Sequence, residues 1–183
     1  MTITFTRSRW YQPGPRGVAI DLVVLHTTEG GHNAQDVADF CQNRSDKVSA
    51  HFFVDNNSIV QGVKVADIAY AAPGANRNGI QIEQVGFAAY TEADWLGPHL
   101  GTLCNTARLL AHCFRRYQIP ITPVDPQGLA AGHRGVTTHK WVNDAFHDST
   151  HTDPGPGYPL DKVIQLGWHF ALTNTEPDLA EAA

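Results

Sequence analysis

Residues 19–26, AIDLVVLH, constrain the fold more than any other stretch of the chain. An apolar run rich in β-branched residues reads as a buried strand. It leads into His26-Thr27-Thr28-Glu29-Gly30-Gly31, a polar exit ending in glycine. A histidine therefore closes this strand where rigid backbone meets an open loop, a good place for a functional side chain.

The remaining pattern supplies partners for that strand. Residues 50–55 (AHFFVD) and 58–63 flank Asn56-Asn57, a two-residue hairpin turn. Residues 79–86 (GIQIEQVG) alternate, with Ile80, Ile82 and Gln84 on one face and Gln81, Glu83 and Val85 on the other. Asn33 is a helix N-cap, with Val37, Phe40 and Cys41 at helical spacing behind it. The longest helix is expected from Pro98 to Tyr117. Leu100, Leu103, Cys104, Ala107, Leu110, Ala111 and Phe114 form its apolar stripe, and Pro120 blocks continuation. Residues 128–133 read as a short strand closed by His133, residues 134–151 as a long polar loop, and residues 160–170 as a last helix. Residues 1–17 form an irregular lead-in, with Trp10 and Tyr11 packing on the body, and residues 174–183 an acidic tail or linker stub. The sum is an α/β (α+β) domain over residues 1–173, a mixed central sheet flanked by about three helices.

Composition narrows the function. The net charge is −5 and no stripe of Lys or Arg occurs, which argues against nucleic acid as a partner. No segment approaches the ~20 apolar residues of a spanning helix, so membrane insertion is not expected. The first 14 residues hold no apolar core of a secretory signal. The three cysteines read as reduced, with Cys41 and Cys104 in the core. Cys104 and Cys113 sit about 13.5 Å apart along one helix, too far to pair. Ten histidines are the one excess, a hint of metal or proton chemistry.

A hydrolytic zinc needs three protein ligands, from imidazole nitrogens or a carboxylate, and an open position for water. His26 and His133 close strands, and Asp153 lies in His151-Thr152-Asp153-Pro154-Gly155-Pro156, stiffened by two prolines. Taken singly, a strand-end histidine is usually a hydrogen-bonded surface residue, and Asp-Pro a common turn starter.

Five blocks in order, VVLHTTEGG, SAHFFVDNNSIVQ, NGIQIEQVG, AGHRGV and HTDPGPGYPLDKV, resemble the type-2 N-acetylmuramoyl-L-alanine amidases. That family is related to peptidoglycan recognition proteins. Within it, the sequence most resembles amidase domains of endolysins from phages of actinobacteria such as mycobacteria. The resemblance spans residues 20–166 and implies the fold of those proteins. It implies one zinc ion held by His26, His133 and Asp153, with Glu83 as the catalytic glutamate. His151 takes the second catalytic position, where many members have Lys. His51, Thr27, Thr28, Asn76 and Asn78 are implied as substrate contacts. A structural role for His51 is an equal alternative. Ala50 stands where some members carry a tyrosine. Nineteen residues separate His133 from Asp153, a long spacer. Its His139 and His147 are open to three readings, as substrate-loop residues, alternative ligands or solvated side chains, the last being favoured. Residues 134–151 are expected to form one wall of an open cleft.

The implied activity is hydrolysis of the amide joining the lactyl group of muramic acid to L-alanine in peptidoglycan, by a monomer with possible tethering to other lysin domains. For a phage lysin, the place of action is the host cytoplasm, then the wall once another protein has opened the membrane. Rival readings are a non-catalytic peptidoglycan-recognition module, a zinc peptidase cutting within the stem peptide, and a structural domain with adventitious metal.

Overall fold

In the computed structural model, residues 3–173 are described, and they form a six-stranded sheet between helices. The strands are β1 (Ile3–Phe5), β2 (Leu22–Thr27), β3 (Phe52–Val54), β4 (Ile59–Gln61), β5 (Gly79–Gln84) and β6 (Gly135–Thr138). Their spatial order is β1-β4-β3-β5-β2-β6. Only the hairpin β3/β4 pairs antiparallel; β2 runs parallel to both β5 and β6, and β3 parallel to β5. The sheet is mixed, as its sequence pattern predicts.

The hairpin turn is held by Asp55, whose carboxylate accepts from the backbone N–H groups of Asn57 and Ser58, both at 2.7 Å. β2 is buried along its whole length, because helices cover both faces. One face carries Val23, Leu25, Ile80, Ile82 and Val136, packed against α3 (Leu100–Tyr117) and α6 (Leu160–Thr173). On the other face, α1 (Ala34–Asn43) lies over Phe53 and Val60. Beside it, α4 (Pro126–Ala130) and α5 (His139–Phe146) lie over Leu22 and Val24. The short α2 (Glu92–Leu96) precedes α3, closed by a capping box from Thr91 and Asp94.

Four expectations are revised. Residues 128–133 are not a strand: Asp125 caps a short helix with Pro126 in its first turn, and a tight turn follows. The strand comes later, at Gly135–Thr138, and Thr138 caps α5 by accepting from the Trp141 N–H. The polar loop expected over 134–151 is therefore strand, helix and a shorter loop. The lead-in contributes an edge strand, β1, parallel to β4. Trp10 does pack on the body, its indole N–H donating to the Arg44 carbonyl at 3.2 Å. Cys41 and Cys113 are buried, while Cys104 is only partly so; all three are free thiols. The tail expected over 174–183 lies outside the described residues.

Candidate metal centre

Parallel strands bring their carboxyl ends to one edge of a sheet, and ligands bind there in open α/β sheets. Here that edge holds His26 near the end of β2, opposite Glu83 on β5 in strand register. His139 follows β6 directly and is buried. Asp153 approaches from the loop after α5, its carbonyl accepting from the Lys140 N–H at 2.9 Å. Gly155 makes that approach possible. It has φ +85°, and a Cβ there would meet the Ala88 carbonyl oxygen at 1.9 Å.

Three side chains converge. His26 Nδ1 lies 3.0 Å from His139 Nδ1. Asp153 Oδ2 is 3.3 Å from His26 Nδ1, and Asp153 Oδ1 is 3.2 Å from His139 Nδ1. Four-coordinate zinc with bonds of about 2.0–2.1 Å sets its ligand atoms about 3.3 Å apart along the edges of the tetrahedron. The donor set and its spacing fit that ion. The outer nitrogen of His26 supports the fit, because Nε2 lies 2.9 Å from Gln81 Oε1 and leaves Nδ1 free to ligate.

The charges agree with a site built for a cation. Burial disfavours a proton on His26, but the hydrogen bond to Asp153 and the charges of Glu83 and Asp153 outweigh it and raise its pKa to about 9. Burial dominates at His139 and lowers it to about 4. Asp153 is held well below the usual carboxylate range: burial opposes this, and hydrogen bonds from both histidines overcome it. The metal-free cluster thus carries one ionising proton, on His26, which a divalent ion would displace.

Glu83 flanks this cluster, with Oε1 4.0 Å from His26 Nδ1. Its Oε2 is buried without a hydrogen-bond partner. Burial, against the attraction of His26, pushes its carboxyl up to about 7. His151 stacks on His139 with ring centroids 4.2 Å apart, and its Nδ1 is 3.3 Å from Asp153 Oδ1. Its side chain is 62% exposed, so it faces the cleft mouth. The cleft encloses about 270 Å³ and runs from the cluster along α1, past Phe40, Arg44 and Val48. His151 and the segment before it form one wall, continuing into a second hollow with Ser149, Tyr70 and Asn76.

The expected residues divide by sheet end. His26, Asp153, Glu83 and His151 come together. His133 does not: it is exposed in the turn after α4, before β6 begins. That places it a strand's length, roughly 13 Å, from the ligand end. His139 stands in its place. Asn78 is also at the wrong end, its carbonyl accepting from Asp21 and Leu22 at the start of β2. Asn76 lines the second hollow, though its Oδ1 accepts from the backbone of Ala71 and Ala72. His51 is fully buried and offers no surface to a substrate. The Thr27 hydroxyl donates to Glu29 and the Thr28 hydroxyl to the Gly30 carbonyl, so both brace the loop that lines the cleft. His147 is exposed at the end of α5.

Comparison with known proteins adds a family. Residues 16–156 match the N-acetylmuramoyl-L-alanine amidase family. The endolysin of Listeria phage A511 is 28% identical over 138 residues, covering 73% of this chain and 38% of the endolysin. The chain thus spans less than half the length of that relative. Staphylococcus aureus hydrolase AmiA, solved in complex with its ligand, superposes with a TM-score of 0.77 at 17% identity, over 95% of this chain and 85% of AmiA. The amidase LysC of Clostridium intestinale gives 0.62 at 16% identity, over 96% and 99%. At such identities the structures show the shared fold.

Proposed function

This chain belongs to the N-acetylmuramoyl-L-alanine amidase family, and on that premise we propose that it is a zinc-dependent amidase acting on peptidoglycan. The bond cut is the amide between the lactyl group of N-acetylmuramic acid and L-alanine. The single observation that carries this reading is the convergence of His26, His139 and Asp153 within 3.0–3.3 Å beside Glu83.

His26, His139 and Asp153 would hold the ion, which supplies a Lewis acid that acidifies water and polarises a carbonyl. The chain's own groups do the rest. Glu83, with its carboxyl raised to about 7, accepts a proton from the attacking water and returns it to the departing alanine nitrogen. His151, exposed on the face of His139, donates a hydrogen bond toward the negative charge developing on the carbonyl oxygen. The open cleft suits an extended glycan and peptide better than a closed pocket would. The complete ligand set and the adjacent glutamate favour an enzyme over a recognition module. The phage endolysin among its relatives supports a role in host-cell lysis; action on the wall after release from the host cytoplasm is part of the same proposal.

The test is digestion of purified cell wall by zinc-loaded protein, read by mass spectrometry. The expected products are peptides with a new N-terminal alanine and glycan with intact muramic acid. Cleavage within the stem peptide, or intact wall, would overturn the proposal.

A further inference from the structure

Behind the ligand cluster lies a buried polar row that the proposed chemistry does not use. Gln81 is fully buried on β5, two residues before Glu83. Its side-chain Nε2 is 3.1 Å from the Ala75 carbonyl oxygen. A carbonyl can only accept, so the amide's NH2 end faces Ala75 and its oxygen faces His26. That oxygen lies 2.9 Å from His26 Nε2 and can only accept in turn. The hydrogen on Nε2 is thereby fixed, and Nδ1 is the nitrogen left to face His139 and Asp153.

The backbone of Gln81 is pinned as well. Its N–H donates to His51 Nδ1 at 2.9 Å, while the His51 N–H donates to the Gln81 carbonyl at 3.0 Å. His51 sits just before β3, and its ring nitrogen stands in for the strand carbonyl that β5 would otherwise meet. Arg16 braces the start of β5: it is buried and donates to the carbonyls of Val65 and Gly79, both at 2.8 Å. His51 Nε2, which carries the ring hydrogen because Nδ1 accepts, lies 3.2 Å from the Asp67 carbonyl. A residue as costly to bury as glutamine, satisfied at both ends and aimed at one ring nitrogen, serves that ring.

We infer that Gln81 is a positioning residue that orients His26 so that Nδ1 is its ligating nitrogen, with His51 and Arg16 holding Gln81 in place. The inference rests on the metal reading above. Outer partners of this kind typically carry ten- to hundredfold in metal affinity.

Zinc affinity of the full chain, measured by competition with a chromogenic chelator, tests it in the Gln81→Leu variant. Leucine keeps approximate volume and removes the acceptor. The expected result is at least about tenfold weaker binding with an unchanged near-ultraviolet circular dichroism spectrum. Binding within about twofold of wild type would overturn the inference.

Should the variant fail to fold, nitrogen NMR of zinc-loaded wild type with labelled histidine decides. The expected pattern is His26 ligated through Nδ1, with a slowly exchanging proton on Nε2; ligation through Nε2 overturns the assignment of Gln81 alone. A wild-type chain that takes up no zinc overturns the functional reading and this one with it.

Discussion

His133 and His139 lie at opposite ends of β6, the first exposed and the second buried. Both follow an apolar or β-branched stretch, and both belong to the excess of histidines that makes metal chemistry worth considering. His26 and Asp153 were legible because each has a marked setting, a strand end and a Pro-stiffened loop. His139 had a weaker one, Gly135-Val136-Thr137-Thr138, only four residues of strand. That is little signal against LAAGH, which looks like a strand end but is the close of a helix. Glu83 was placed by its block, and its burial gives the reason it suits proton transfer. Replacing it with Gln keeps the shape and removes the base. Glu83→Gln should retain zinc and lose about 10²- to 10⁴-fold in turnover, measured as release of N-terminal alanine from wall. Turnover near wild type would remove Glu83 from the mechanism.

Among the elements, strand direction does most to make the site. β2, β5 and β6 run parallel, so His26, Glu83 and His139 arrive at one edge, while Asn78 and His133 are left at the other. Alternation in 79–86 gave the face of Glu83 correctly, since Gln81 and Glu83 share the face of His26. It could not give strand order, which depends on contacts far apart in sequence. Nor could the lead-in reveal β1, a three-residue edge strand too short for any period to register. The loop bearing Asp153 is the remaining element, and Gly155 is its tight point. Gly155→Ala adds a Cβ against the Ala88 carbonyl at a positive φ. It should cost about 1–3 kcal/mol of stability and weaken zinc binding, because Asp153 lies two residues upstream. Denaturant melts and chelator competition would show both; a variant with wild-type affinity would mean that the loop does not position the ligand.

For the whole molecule, folding and metal chemistry are linked through a proton. Two helical layers hold the sheet rigid, and its open edge gathers an aspartate, a neutral histidine and a histidine raised to about 9. Below that pH the metal-free fold carries a proton on His26, and zinc must displace it. Apparent zinc affinity should therefore rise with pH, by about tenfold per unit between roughly pH 6.5 and 8.5, with one fewer proton to displace above 9. Calorimetric titrations across that range check the slope, and a flat profile would contradict the charge state assigned to the cluster. The most direct test is an anomalous difference map at the zinc edge from crystals of zinc-loaded protein. One strong peak bounded by His26 Nδ1, His139 Nδ1 and the Asp153 carboxylate is the result expected. A peak at His133, or none beside Asp153, would contradict the account.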